Sequence, residues 1–507
     1  MFVYVSKEAI DYVTQGGELR SSVGWFALAL VGIYAVELCL DLITEWIENQ
    51  TEISLKNKLR HRLYNHLMQV TWEGWEQLHS GDVLNRLEED IRIVAETFCK
   101  SGPQLVVTCV QIVAAFFFLY YMSPMLAWCI LFTMPVFLVV SKLFFFKLRK
   151  LTKAIRSTDG KVQSVMQESL QHHLLIQSME QNEAFSGRLS GLQDLLYGQT
   201  IHRTKFNLFS RGMVTAGFMA GYLTAFIYGL VGIQDGIITY GMMTAFLQLA
   251  NRIQRPTVNL AHLVPDFVNA SASIERLEEL QTLHSEEKGE QKILEGTAGI
   301  RIDGITFKYK GGERNIYQDF SHDFKPGGRT AIVGKTGAGK STLIKLILSL
   351  LQPQAGSIYI YNGVEQVKVS PDTRGNLVYV PQGNSLLSGT IRSNLLLGNA
   401  DATEDDMWKA LHIAAADFVT GLPGKLDARC GESGDGLSEG QAQRIAIARG
   451  LLRPGSIMLM DEFSSSLDHE TEQKLIERLI DSANNKTMIF ITHRKMILDY
   501  CDEVLRL

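Results

Sequence analysis

Residues 101–141 contain no Asp, Glu, Lys, Arg or His. A water-exposed helix buries one stripe and leaves the rest polar, and this run has no such face to offer. A bilayer core takes about 20 apolar residues per helix, so the run supplies two spans folded back at Ser123-Pro124. Three more uncharged runs accompany it: Ser21–Val36, continuing to Trp46; Gly212–Gln234; and Gly236–Asn251, continuing into Ile253–Pro265. The spans are read as 24–46, 103–122, 124–146, 212–234 and 238–265. Met1–Val13 is too short and too charged to cross, and reads as the outer end of a first span whose beginning is missing. The expectation is a helical bundle of about six spans.

Basic residues orient it. Lys142, Lys147, Arg149, Lys150, Lys153 and Arg156 follow one span, Arg203, Lys205 and Arg211 precede another, and Arg252 and Arg255 sit late in the last. The connections at 123–124 and 234–237 carry only Asp235. Lys/Arg-rich connections stay in the cytosol, so the chain beyond the last span is cytosolic. The cytosolic connections 47–100 and 142–211 are helical in pattern and longer than adjacent spans require. Each breaks at its far end, near Ser80-Gly81-Asp82 and near Leu174–Glu180, so they are expected to touch a cytosolic domain. The totals agree with a half-membrane, half-soluble chain: 507 residues, 46% apolar and 20% charged, with mean hydropathy +0.04. A net charge of −5 gives no case for a nucleic-acid partner. The six cysteines are scattered without metal-binding spacing and read as free thiols.

Gly334-Lys335-Thr336-Gly337-Ala338-Gly339-Lys340-Ser341-Thr342 follows the apolar run Thr330–Val333 and opens the helical pattern Thr342–Leu351. Strand, glycine turn and helix are the context in which G-x-x-x-x-G-K-[ST] is a phosphate-binding loop. Phosphate oxygens need converging backbone N–H groups, the helix N-terminus favours an anion, Lys340 reaches the β/γ-phosphates, and the Ser341 hydroxyl suits Mg²⁺. Downstream, Ile457–Met460 is an apolar strand ending in Asp461 and Glu462. Two carboxylates at a buried strand end are costly without a cation and a substrate, which assigns Asp461 to Mg²⁺ and Glu462 to the attacking water. Leu437-Ser438-Glu439-Gly440-Gln441 starts a helical run with Ser438 as N-cap. Apolar segments at 330–333, 377–380, 457–460 and 487–492 alternate with helical runs, which argues for a mostly parallel sheet.

Leu-Ser-x-Gly-Gln between such a loop and an apolar-strand Asp-Glu resembles the ABC ATPases, and the whole chain resembles an ABC exporter half-transporter. The resemblance implies an α-helical transmembrane bundle (1–285), a linker (286–299) and an α/β P-loop nucleotide-binding domain of ABC type (300–507). It implies an ATPase using ATP and Mg²⁺. In it Tyr309 stacks on adenine, Gln382 touches Mg²⁺ and the membrane domain, Ser464–Asp468 forms the D-loop, and His493 is the switch histidine. Ser80–Asp90 resembles the first coupling segment, and Ile176–Phe185 takes the place of the second. It also implies a second half-transporter, homo- or heterodimeric, whose loop-bound ATP is covered by Ser438, Gly440 and Gln441. The expected location is the cytoplasmic membrane. Glu439 departs from the glycine usual there, and the chain ends in its last strand, Glu503–Leu507. The transported substrate stays open among lipid, drug and peptide. The alternative is a membrane-anchored ATPase that gates or regulates without transport. Glu37, Asp41 and Glu45 share one helix face: either they line the cavity and favour cationic cargo or, the preferred reading, they lie at the inner boundary.

Overall fold

The computed structural model describes all residues except 1, 16–18, 77, 79, 288, 313, 336, 432–435, 483 and 484. It describes the backbone but not the side chains of 19–23, 80, 130–146, 214, 254, 255, 257, 258, 261 and 262. Thr336 therefore lies outside the described residues. The chain divides into two compact units, Met1–Leu63 with Leu84–Glu279, and Tyr64–Val83 with Leu280–Leu507.

The elements of the N-terminal part, among the described residues, are helices: α1 (Phe2–Thr14), α2 (Leu19–Leu67), α3 (Trp72–Glu76), α4 (Ser80–Asn85), α5 (Ile91–Glu96), α6 (Gly102–Met122), α7 (Pro124–Gln171), α8 (His173–Ser178), α9 (Asn182–Gln234) and α10 (Tyr240–Gln281). Wide π-helical turns at Arg86–Asp90 and Thr97–Ser101 join α4, α5 and α6 into one rod. Gly24–Leu67, Gly81–Met122 and Asn182–Gln234 are each long and apolar enough to cross a bilayer. The reversal between α6 and α7 falls at Ser123, which is extended at φ −154° before Pro124, as a proline that cannot continue the preceding helix demands. The reversal between α9 and α10 uses Gly236 at φ +70°, with the N–H groups of Ile237 and Ile238 both donating to the Gly232 carbonyl.

Helices α1, α6, α7, α9 and α10 meet in a core containing Val3, Leu119, Leu126, Phe246, Leu249 and Ile253. The buried Asp11 carboxylate fastens α1 to α10 by accepting from the Gly241 N–H at 2.9 Å. A second junction lies at the other end of α10. There the π-turn residue Asp90, only 1% exposed, accepts from Ser273 Oγ at 2.9 Å and from the Arg276 guanidinium. Arg86 adds a 2.8 Å ion pair to Glu279. Glu37, Asp41 and Glu45 are all exposed along α2.

Among the described residues the second unit holds two larger sheets and a short antiparallel pair, β7-β8. A five-stranded parallel sheet has the order β11-β3-β10-β9-β6, and an antiparallel sheet has the order β2-β1-β4-β5. The strands are β1 (Gly299–Phe307), β2 (Tyr317–Phe324), β3 (Arg329–Val333), β4 (Ala355–Tyr361), β5 (Gln366–Lys368), β6 (Leu377–Val380), β7 (Gly389–Thr390), β8 (Arg429–Cys430), β9 (Ile457–Asp461), β10 (Thr487–Ile491) and β11 (Glu503–Arg506). The expected strands at 330–333, 377–380, 457–460 and 487–492 all fall in the parallel sheet, where β9 and β10 are buried throughout. The antiparallel sheet was not anticipated. Helices α11 (Lys340–Ile347), α12 (Ile391–Leu396), α13 (Glu404–Ile413), α14 (Glu439–Leu452), α15 (His469–Ser482) and α16 (Lys495–Leu498) complete the unit.

The segment that joins this unit from the N-terminal half is α3 rather than the expected Ser80–Asp90 stretch. Trp72 packs on the core that includes Phe307, Ile344 and Ile347, with Lys345 Nζ 5.2 Å above its ring. Glu76 pairs with Lys345 at 3.3 Å and Glu73 with Lys310 at 2.8 Å. Gly81 instead lies within α4, where the returning rod begins. Glycine marks the break from sequence, but the aromatic that anchors the tip precedes it. The second break does fall where expected, at Met179–Gln181, with Glu180 at φ 55°.

Candidate functional site

The loop between β3 and α11 depends on glycine at two points. Gly337 and Gly339 sit at φ +83° and +101°, and a Cβ on Gly339 would stand 2.6 Å from Ile316 Cγ2. The backbone thus wraps tightly at the N-terminus of α11. Lys340 is buried, and its Nζ turns back over the loop. It donates to the Gly334 carbonyl at 2.7 Å and the Lys335 carbonyl at 3.3 Å, and lies 3.2 Å from His493 Nε2. Two backbone carbonyls hold an ammonium where an anion is the natural partner.

β9 delivers two carboxylates into different surroundings. Asp461 is buried, and desolvation, reinforced by the neighbouring Glu462 charge, pushes its carboxyl above the usual range, while the Ser341 hydroxyl and Lys340 oppose that shift. Glu462 has a left-handed backbone at φ 45°, secured by its N–H donating to the Ile491 carbonyl at 2.9 Å. Its side chain accepts from Gln382 Nε2 at 2.5 Å and faces His493 Nε2 at 3.7 Å. Lys340, Ser341, Gln382, Asp461, Glu462 and His493 are therefore one connected cluster.

Tyr309 stands at the edge of this cluster. Its hydroxyl is 3.2 Å from Thr342 Oγ1, and its ring meets Phe307 edge-on at 5.1 Å. Tyr317, which sequence reasoning missed, donates to the Gly339 carbonyl at 3.0 Å and braces the loop. Its signal was only its place in an alternating strand.

Ser438 caps α14 reciprocally with Gln441: each backbone N–H donates to the other's side chain, at 3.0 and 3.2 Å. Gly440 packs on the following loop, where a Cβ would approach the Ser466 carbonyl to 2.9 Å. Among the described residues, no hydrogen bond joins Ser438, Gly440 or Gln441 to Gly334, Lys335, Ala338 or the other loop residues. What connects α14 to the carboxylates is Gln443, also missed from sequence. Its amide donates to the Glu462 carbonyl at 3.3 Å and its oxygen accepts from Ser466 at 2.6 Å.

Residues 1–257 match the family described as ABC transporter transmembrane region, and residues 317–465 match the one described as ABC transporter. The chain belongs to the ABC transporter family. It is a membrane protein whose C-terminal domain binds nucleotide, and its ATPase activity is coupled to transport. A Bacillus subtilis (strain 168) relative, the uncharacterized ABC transporter ATP-binding protein YwjA, is 26% identical over 493 residues, 96% of this chain and 84% of that one. A Staphylococcus aureus (strain NCTC 8325 / PS 47) protein, provisionally named multidrug export ATP-binding/permease protein, is 27% identical over 483 residues, 94% of this chain and 83% of that one. The fold matches a solved bacterial Atm1-family ABC exporter with ATP bound, at TM-score 0.81 and 22% identity over 99% of this chain and 89% of that one.

Proposed function

We propose that the chain is one half of an ATP-driven export pump in a cytoplasmic membrane, working as a dimer. The observation that supports this best is the clustering of Glu462 with Gln382, His493 and Lys340, in a chain that also carries a transmembrane region. In this reading Gly334, Lys335, Thr336, Gly337, Ala338 and Gly339 wrap the phosphates, Thr342 and Tyr309 border the nucleotide, and Lys340 leaves its carbonyl partners for the β/γ-oxygens. Glu462 accepts a proton from a water whose oxygen attacks the γ-phosphorus. The bond to the β–γ bridging oxygen breaks, giving ADP and phosphate. Gln382 and His493 hold the Glu462 carboxylate in line.

The donor set suits Mg²⁺. A buried carboxylate, the Ser341 hydroxyl bonded to it and the nearby Gln382 amide are hard oxygen ligands, and a cation relieves the desolvated charge of Asp461. When bound, Mg²⁺ supplies charge neutralisation at the β- and γ-phosphate oxygens.

Among the described residues Ser438, Gly440 and Gln441 have no bond to their own loop, and in this reading they cover the nucleotide of the partner subunit, and ATP closes the dimer. Inside-out vesicles test the proposal. ATP-dependent uptake of at least one compound from a panel is expected with the wild-type chain and not with Glu462→Gln. Cargo-independent ATPase activity without any uptake would overturn it.

A further inference from the structure

Directly after His493 stands Arg494, whose guanidinium reaches back to the segment that follows Glu462. Its Nη2 donates to the carbonyls of Ser465 at 2.9 Å and Leu467 at 3.3 Å, and its Nη1 to the Glu472 carboxylate at 3.2 Å. Glu472, in the first turn of α15, is only 1% exposed. Its other oxygen accepts from the buried Ser464 hydroxyl at 2.6 Å. One arginine and one buried carboxylate therefore hold Ser464, Ser465 and Leu467, three of the residues between Glu462 and Asp468.

The network closes on Glu462. The Ser465 N–H donates to the Glu462 carbonyl at 3.2 Å, beside the Gln443 amide, and His493 Nε2 faces the Glu462 carboxylate at 3.7 Å. The result is a ring of contacts. It runs from the Glu462 backbone to Ser465, from Ser465 to Arg494, through the peptide bond to His493, and from His493 to the Glu462 side chain. The Arg494 N–H donates to Thr492 Oγ1 at 2.9 Å and fixes the turn where β10 ends. A planar guanidinium fork can serve a carboxylate and two carbonyls together, whereas a lysine ammonium is a compact point charge. Seating α15 needs only the bond to Glu472. Two of the three side-chain bonds of Arg494 go instead to carbonyls of the segment after Glu462.

We propose that Arg494, with Glu472 and Ser464, is a positioning element for ATP hydrolysis, keeping the Glu462 carboxylate and His493 in register with each other. The three residues act through Glu462 and His493 and not on the reacting atoms. The inference rests on the reading of Glu462 as the base. Small displacements of a positioned group cost rate steeply. The loss on removing the network therefore falls on kcat, while nucleotide binding, which uses the loop before α11, is spared.

The test is ATP hydrolysis and equilibrium ATP binding by the full-length protein in nanodiscs, at a temperature where melting curves show every variant folded. Removing Arg494 alone leaves a buried charge behind, so the main variant is the double replacement Glu472→Met with Arg494→Met. Apolar residues of similar volume can take the place of a buried ion pair at little cost in stability. The double variant should keep the wild-type melting temperature and ATP affinity and lose roughly ten-fold in kcat. Arg494→Lys retains the charge beside Glu472 but not the fork, so it should keep the melting temperature and recover only part of kcat. A double variant with kcat within about two-fold of wild type, or one whose loss lies in KM, overturns the proposal. Should the double variant fail to fold, Arg494→Lys decides: a wild-type kcat overturns the proposal, and a reduced kcat at unchanged KM and melting temperature supports it. Glu462→Gln separates the two readings. If it hydrolyses ATP at the wild-type rate, Glu462 is not the base, whatever the Arg494 variants do.

Discussion

Gln382 donates to the Glu462 carboxylate at 2.5 Å while the Glu462 backbone is held left-handed at φ 45°. A non-glycine residue in that region costs about 1–2 kcal/mol. The cost is met by fixed bonds on either side of it, from Glu462 N–H to Ile491 and from Gln443 to the Glu462 carbonyl. The backbone kink turns the side chain toward Gln382 and His493, so the carboxylate proposed as the base is held in place by its own chain.

Replacing Glu462 by Gln keeps the shape and removes the carboxylate proposed as the base. ATP hydrolysis should fall by roughly a hundred-fold or more, with nucleotide affinity preserved. Phosphate release and equilibrium nucleotide binding measured side by side check this. Gln382→Ala should cost less, roughly ten-fold in kcat, because it loosens the carboxylate without removing it.

Asp461 carries a stability cost that has a sign. Its carboxyl is raised in the folded protein, chiefly by burial, so the native state holds the proton more tightly than the unfolded chain. The favourable contribution is present below the ordinary carboxylate range and is lost as pH rises through the raised value. Without nucleotide and Mg²⁺, Asp461→Asn should therefore raise the melting temperature by a few degrees, about 2–4 °C per kcal/mol for a domain this size, and flatten its acid-side pH dependence, while ATPase activity disappears. A melting series from acid to neutral pH reads both effects.

Trp72 covers the core beneath α11 and holds Lys345 over its ring at 5.2 Å. Trp72→Ala should destabilise this unit by about 1–2 kcal/mol, below the range for a fully buried Trp because Trp72 is half-buried. It should also lower transport per ATP hydrolysed more than it lowers basal hydrolysis. Paired uptake and phosphate-release assays in vesicles measure that ratio.

Asp90 is buried with both of its oxygens accepting, from Ser273 and Arg276. Asp90→Ala should cost about 2–3 kcal/mol, below the 3–5 expected for a fully buried pair because Arg276 is half-exposed. Asp90→Asn should cost less. Thermal unfolding of the purified protein in detergent checks the order.

The catalytic half was legible because its chemistry fixes residue types. A glycine loop, a strand ending in Asp-Glu and a capped Ser-x-Gly-Gln helix have few other uses, and the parallel strands read as apolar runs because they are buried on both faces. The antiparallel sheet was not legible. β2, Tyr317-Gln-Asp-Phe-Ser-His-Asp-Phe324, is partly exposed and alternates weakly, so it carries no apolar run of the kind that marks the buried strands. Gln443 was hidden for another reason: nothing in a helix sequence says that a glutamine reaches a carbonyl nineteen positions downstream. The membrane spans were visible as uncharged stretches, but the tip at Trp72 was not, because the glycine at 81 gave a stronger turn signal than an aromatic just ahead of it.

The catalytic unit is built from two separate lengths of chain, Tyr64–Val83 and Leu280–Leu507. A protein engineer who excises everything from Leu280 onward would obtain a domain that is contiguous in the gene yet incomplete in space. It would lack the indole lid over its own core, and Lys310 and Lys345 would be left without their acidic partners. Supplying 64–83 as a separate peptide, or grafting it on by circular permutation, is the way to make that half whole.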